Sequence, residues 1–210
     1  MDLASWWDET ISGLSGSDRR RVAGGALVVA GALITIGITV AGSLYPGYSI
    51  HAQTISELGA TDASGQLVQP AATVFTLSLG IGGGLVILAG LAARVPLGPR
   101  LAGAFTATGL GVFGVAAFPA HVGAPHAIAA LVAFAGGGVT ALLAASETRG
   151  AIRWLSAVLG SATLLALVAF LALGGETPLG IGGLERLVSL PIQCFMILFG
   201  GWLLGTADGR

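Results

Sequence analysis

Three histidines and a few carboxylates are the side chains of this sequence that are best suited to chemistry. The histidines are His51, His121 and His126, and the carboxylates expected near them are Glu57 and Glu185. Imidazole and carboxylate groups are typical zinc ligands, and zinc makes its bound water a nucleophile near neutral pH. One hypothesis is therefore a zinc site formed by the three histidines, with Glu57 or Glu185 as a catalytic general base.

Two other interpretations of the histidines stay open. His121 and His126 are five residues apart, whereas the helical zinc motif places its two histidines four apart. A tight turn through Gly123 and Pro125 would still bring the rings together. Otherwise the imidazoles lie at the membrane interface and hydrogen-bond to loop carbonyls, or they handle protons or a ligand.

A second polar pattern lies close to the end of the chain. Glu185, Ser189 and Gln193 recur at intervals of four, which places them on one face of a helix. Arg186 follows Glu185, and Pro191, which lies between Ser189 and Gln193, removes one backbone hydrogen bond and frees the Leu187 carbonyl. Because a glutamine is costly to expose to lipid, this face is predicted to point into the protein.

Two shorter polar stripes have the same helical spacing. They are Thr35, Thr39 and Ser43, and Gln69, Thr73 and Thr76. With the stripe on the last helix, they predict a polar cavity that opens at one membrane surface. The alternative is that the hydroxyls bond to carbonyls of their own helices and that Gln193 links two helices.

The elements that position these residues are membrane helices. Of the 210 residues, 54% are hydrophobic and 9% are charged, whereas a soluble domain has about 25% charged residues. The mean hydropathy is +0.90. Six apolar stretches are long enough to cross a bilayer, and they cover residues 22–45, 71–93, 101–118, 127–145, 154–174 and 187–204. The predicted fold is an all-α, polytopic six-transmembrane-helix bundle.

The segments outside the bundle are short. Residues 1–21 carry apolar side chains at helical spacing, including Trp6 and Trp7, which predicts a cytoplasmic interfacial helix; a disordered tail is the alternative. Residues 22–204 form the predicted transmembrane domain, and residues 205–210 form a cytoplasmic tail. A cleaved signal peptide is a competing interpretation of the first stretch, which is longer than the usual 7–15 apolar residues.

The arginines predict the orientation. With the N-terminus inside, eight of the nine arginines lie on the cytoplasmic side and only Arg186 lies outside. Positive residues favour the cytoplasmic side of a membrane protein. Both termini are therefore predicted to be cytoplasmic, in the cell membrane, and all three histidines fall on the outer side.

Composition also excludes several classes of function. The chain has no lysine, so it has no Schiff-base lysine and no Walker lysine. Cys194 is the single cysteine, which excludes intrachain disulfides and thiolate clusters. The net charge of −1 lacks the excess of basic residues that is typical of nucleic-acid-binding proteins. The 35 glycines, at spacings such as Gly201 and Gly205, favour close helix packing and leave a homodimer or a larger membrane complex possible.

Several short motifs occur in an order that is similar to one known family. They are residues 54–60 (TISELGA), Phe118-Pro119, His126-Ala127 and residues 182–186 (GGLER). Over about residues 22–204, the chain resembles the prokaryotic membrane proteins grouped as domain of unknown function 998. One departure is Thr76, where that family often has Asn.

The resemblance implies a multi-span membrane bundle and no assigned reaction. It singles out Ser56, Gly59, His126, Glu185 and Arg186, which are all predicted on the outer side. The residues and the resemblance together predict one polar site there, and its candidate ligand-binding residues are Ser56, His126, Glu185, Arg186, Ser189 and Gln193.

Three functions are compatible with this sequence. The first is a structural, accessory or ligand-sensing membrane protein without an assignable reaction. The second is a transporter of small molecules or ions. The third is a metal-dependent lipid hydrolase at the outer leaflet, with zinc as its possible cofactor. The lipid bilayer is the expected partner in all three.

Overall fold

Six long helices follow one another along the part of the chain that the structure, a computed structural model, describes, which is residues 13–207. They are α1 (Gly16–Leu44), α2 (Ala71–Leu97), α3 (Pro99–Ala117), α4 (Ala124–Glu147), α5 (Ala151–Leu173) and α6 (Gly180–Thr206). All six are long and apolar enough to cross a membrane. The prediction of a six-helix transmembrane bundle is confirmed. Most of the predicted interfacial helix, residues 1–12, lies outside the described residues.

Every helix except α2 starts earlier than the apolar stretch that predicted it. The hydroxyl of Ser15 accepts a hydrogen bond from the Asp18 N–H at 3.1 Å, and this N-cap starts α1 at Gly16 rather than at residue 22. Helix α4 starts just before His126, and α6 starts at Gly180 rather than at residue 187. His126, Glu185 and Arg186 are therefore held on helices and not on loops.

The helices form a closed ring in chain order. Each helix packs against the next, and α6 packs back against α1. Helix α4 also contacts α6 directly, so α5 covers the seam between these two. Residues 45–70, 118–123 and 174–179 connect the helices at one end of the bundle, which we call the long-loop end. Gly98 and residues 148–150 make the short connections at the opposite end.

Glycines set the distance between several neighbouring helices. A Cβ atom added to Gly24 of α1 would lie 2.7 Å from the carbonyl oxygen of Gly200 on α6. A Cβ added to Gly160 of α5 would lie 2.8 Å from the carbonyl oxygen of Gly138 on α4. Both contacts are too short for any side chain, so these helices touch backbone to backbone, as small residues allow in membranes.

Stacked aromatic rings fill the core between α3 and α6. The ring centroids of Phe105 and Phe195 are 6.0 Å apart, those of Phe195 and Phe199 are 5.3 Å apart, and Trp202 continues the row. Phe105, Phe195 and Phe199 are almost fully buried. The aromatic cluster packs the half of the bundle that lies away from the long-loop end.

Candidate functional site at the long-loop end

Glu185 is the most deeply buried charged residue in the described chain, with 3% of its surface exposed. It lies in the second turn of α6 and points at the loop after α1. One carboxylate oxygen accepts hydrogen bonds from the backbone N–H groups of Ile55 and, at 3.4 Å, Ser56. The other accepts from the Ser56 hydroxyl at 2.7 Å. Glu185 thus caps the short 3₁₀ helix Ser56–Gly59, whose first N–H groups have no partner within the helix.

Arg186 binds the same loop from the neighbouring position. Its guanidinium donates to the Tyr48 hydroxyl at 2.7 Å and to the Gly182 carbonyl at 2.8 Å, and it lies over the Tyr48 ring. The Tyr48 hydroxyl in turn donates to the Thr54 carbonyl at 2.8 Å. Burial raises the pKa of the Tyr48 phenol, against the opposing effect of the Arg186 charge, so the phenol keeps the proton that this bond requires.

The glycines before Glu185 let the loop backbone reach the helix. The Gly182 N–H donates to the His51 carbonyl at 3.2 Å. A Cβ on Gly182 would collide with the carbonyl oxygens of Gln53 and Ile50. Two of the motifs that carry the family resemblance, residues 54–60 and 182–186, are in direct contact through the bonds of Glu185 to Ile55 and Ser56.

His126 is held by the end of the preceding helix. Its Nδ1 atom lies 2.7 Å from the Phe118 carbonyl oxygen. Because a carbonyl only accepts, Nδ1 carries a proton, and in the neutral ring Nε2 is a hydrogen-bond acceptor. This bond also explains why Phe118-Pro119 and His126 occur together: the turn between α3 and α4 returns the Phe118 carbonyl to the first turn of α4.

A lateral groove runs from this polar end down the side of the bundle between α4 and α5. Its polar corner is formed by Thr54, Ser56, His126 and Glu185, and its apolar walls include Leu131, Phe134, Leu167, Phe170 and Leu171. The groove has a volume of about 280 Å³. Leu131 is 50% exposed and Leu171 is 67% exposed, so the groove opens at the lipid-facing side of two membrane helices.

A separate central cavity lies inside the ring, next to the loop after α1. It is lined by residues of every helix except α5, has a volume of about 60 Å³ and is mostly apolar. Glu185, Ser189 and Gln193 all line it, as their spacing predicted. Ser56 and Glu185 line both spaces, so this hydrogen-bonded pair forms part of the wall between the central cavity and the lateral groove.

The three histidines have separate surroundings. His51 contributes its carbonyl to α6, the Nδ1 atom of His121 accepts from the Thr61 N–H at 3.2 Å, and His126 bonds to Phe118. Within residues 13–207, no group of three or more His, Cys, Asp or Glu side chains is placed to hold a metal ion. The rings of His121 and His126 thus bond to different connecting segments, and the structure does not bring the three histidines together as the proposed zinc site.

The other predicted polar residues separate into different places. Glu57 does not line the groove or the cavity, and its backbone N–H bonds to the Thr54 hydroxyl at 3.3 Å. On α1, the hydroxyls of Thr39 and Ser43 bond to carbonyls one turn earlier and are exposed. The stripe of Gln69, Thr73 and Thr76 lines a surface pocket beside Pro119. The three stripes do not share one cavity.

Two groups of residues at the site were not anticipated from the sequence. Tyr48 is the main partner of Arg186. The signal was available, because Arg186 is the only arginine that the sequence places near the long-loop end and it needs an aromatic or acceptor partner. Leu167, Phe170 and Leu171 of α5 form a wall of the lateral groove. Nothing in their sequence separates these residues from ordinary lipid-facing positions.

Comparison with known proteins gives one match. A family model described as "Protein of unknown function (DUF998)" matches residues 28–202, which is most of the chain and includes every helix in whole or in large part. No curated protein and no solved structure matches the chain.

Proposed function

This chain belongs to the DUF998 family of unknown function, and we propose that it binds an amphipathic lipid of the surrounding bilayer in its lateral groove. The proposed role is that of a non-catalytic, ligand-sensing or accessory membrane protein. The polar end of the lipid would lie against His126, Ser56 and Glu185, and its chain would lie along the apolar walls between α4 and α5.

The observation that carries this proposal is the shape and chemistry of the groove. Buried polar groups stand at one end, apolar side chains line the rest, and the open side faces lipid. Binding sites for small molecules typically combine apolar walls with a few placed polar groups. A membrane lipid has the same division between a polar end and an apolar chain.

The polar corner favours a headgroup that donates hydrogen bonds. The Nε2 atom of neutral His126 is an acceptor, and Glu185 adds a carboxylate. The guanidinium of Arg186 turns away to Tyr48 and does not line the groove. Acceptors without a cation suit an ammonium or hydroxyl headgroup better than a bare phosphate.

A binding role also fits the engagement of Glu185. Its carboxylate already accepts three hydrogen bonds from residues 55 and 56, so it serves the loop rather than acting as a free general base. The arginine distribution supports cytoplasmic termini. In that orientation the polar corner lies at the outer leaflet, and the ligand is an outer-leaflet lipid.

Native mass spectrometry of the full chain in detergent tests this function. Phosphatidylethanolamine has an ammonium group with N–H donors, whereas phosphatidylcholine has none, so we expect the protein to retain the former preferentially. His126→Leu should remove the preference because it removes the acceptor. Ala127→Phe places a ring in the groove and should reduce retention of both lipids.

Val158→Phe is the matched control. Val158 is exposed on α5 but does not line the groove, so this variant should retain lipid like the unmodified protein. Equal retention of the two lipids, or equal loss in Ala127→Phe and Val158→Phe, would contradict the proposed function.

A further inference from the structure

The central cavity contains a buried polar group with unused hydrogen-bonding capacity. Gln193 lines the cavity and is 4% exposed. Within residues 13–207 its amide has one hydrogen-bond partner, the Thr35 hydroxyl, at 2.8 Å from Oε1. A glutamine amide offers two N–H donors and an acceptor, and buried polar groups in proteins are normally satisfied.

The contact with Thr35 limits which atom of the Gln193 amide can face the cavity. The Thr35 hydroxyl also lies 2.7 Å from the Gly31 carbonyl, and its single proton serves only one of the two acceptors. If that proton goes to Gly31, the amide is turned so that its nitrogen donates to Thr35 and its oxygen faces the cavity. If the proton goes to Gln193, the nitrogen faces the cavity. A hydroxyl group satisfies either arrangement because it both donates and accepts.

The other residues that line the cavity indicate the chemical character of the rest of the ligand. Ile34, Phe75, Leu79, Val112 and Met196 are among the apolar side chains around Gln193. Ser56 and Glu185 already bond to each other, and Ser189, one turn from Gln193, makes a long 3.4 Å bond to the Arg186 carbonyl. Buried water usually has two to four polar partners, and the lining around Gln193 is apolar apart from Ser189. An apolar body with one polar group matches it better.

We propose that the central cavity is a second binding site, which takes a compact neutral molecule, or the end of a chain, that is apolar except for one hydroxyl group. The hydroxyl bonds to Gln193, with Ser189 beside it, and the apolar body packs against the five helices that line the cavity. This site is distinct from the lateral groove, and the proposal does not depend on lipid binding there.

Fluorine NMR titration of the detergent-solubilised full chain tests this site with 2-fluoroethanol and 1-fluoropropane, which are small enough for the cavity. The two probes differ only in that the first has a hydroxyl group where the second has a methyl group. We expect saturable binding of 2-fluoroethanol about tenfold tighter than that of 1-fluoropropane, the factor that one net hydrogen bond provides. Gln193→Leu should abolish the difference between the probes.

Two controls make the result specific. Thr140→Val removes a buried hydroxyl that bonds to Thr108 outside the central cavity, and it should keep the tenfold preference. Ala133→Leu, or Val115→Phe if the first variant does not fold, fills the cavity and should remove saturable binding of both probes. The proposal is overturned if the unmodified chain shows no saturable binding, binds both probes equally, or keeps its preference in Gln193→Leu.

Discussion

At the scale of single residues, the two carboxylate oxygens of Glu185 hold the loop after α1 by hydrogen bonds. The partners of each oxygen determine which hydrogen bonds a substitution would remove. One oxygen meets two backbone N–H groups, which cannot reverse their polarity. The other meets the Ser56 hydroxyl, which can rotate and accept instead of donating. A glutamine at this position can therefore satisfy all of these groups without the charge, whereas a leucine satisfies none.

This difference predicts a graded loss of stability. Hydrogen bonds to charged groups contribute about 1 kcal/mol more than neutral ones, so we expect Glu185→Gln to lower the free energy of unfolding by about 1 kcal/mol. Glu185→Leu leaves buried donors of Ile55 and Ser56 unpaired and should cost about 3 kcal/mol. Thermal unfolding in detergent measures both. Glu147→Gln and Glu147→Leu, at an exposed residue at the end of α4, are the controls, and an equal effect of all four substitutions would refute the capping role.

At the scale of elements, the start of α6 and the loop after α1 form one unit. The first turns of α6 contribute the Gly182 N–H to the His51 carbonyl, the Glu185 carboxylate to residues 55 and 56, and the Arg186 guanidinium to Tyr48. The loop backbone passes so close to Gly182 that no side chain fits between them. This contact fixes the loop over the central cavity and places Ser56 and Thr54 at the lateral groove.

The close contact gives opposite predictions for two glycines of α6. Gly182→Ala should lower the free energy of unfolding by about 2 kcal/mol, because the added methyl group pushes the loop backbone away. Gly201 has no atom within 4 Å of an added Cβ, so Gly201→Ala should be neutral or should stabilise the helix by up to about 1 kcal/mol. Thermal unfolding of the two variants side by side is the measurement. Similar stability of both variants would show that the loop does not rest on Gly182.

At the scale of the whole molecule, the ring of helices creates two different spaces. Because α4 contacts both α5 and α6, five helices line the central cavity and α5 is left at the periphery. The lateral groove forms where α5 meets α4, at the bundle surface. One arrangement of helices thus gives a groove at the lipid-facing surface and a cavity inside the ring.

The orientation of the molecule in the membrane is a prediction at the same scale. In a Cys194→Ser background, Ser64→Cys lies in an exposed part of the long loop, and Glu147→Cys lies at the opposite end. With cytoplasmic termini, a thiol reagent that does not cross membranes should label position 64 on intact cells and spare position 147 until the cells are permeabilised. The reverse pattern would show that the arginine distribution does not set the topology.

The sequence by itself determined the number and type of the elements. A bilayer requires about 20 apolar residues for each helical crossing, so the six spans can be found without any knowledge of their packing. The spacing of Glu185, Ser189 and Gln193 also determined that these residues share a helix face. The predicted starts of the helices were less accurate, because α1 and α6 begin within polar or glycine-rich residues that a hydropathy pattern assigns to loops.

Only the tertiary structure decided which residues meet. The three histidines fall at the same end of the bundle, yet the His51 carbonyl bonds to α6, the His121 ring to the loop after α1 and the His126 ring to the Phe118 carbonyl. Tyr48 lies 138 positions from Arg186 in the chain, and Thr35 lies 158 positions from Gln193. Contacts across such separations depend on the order of helices around the ring and on close approaches at glycines. A helical period describes one helix and carries no information about the neighbour it faces, which is why the lateral groove and the central cavity could not be read from the sequence.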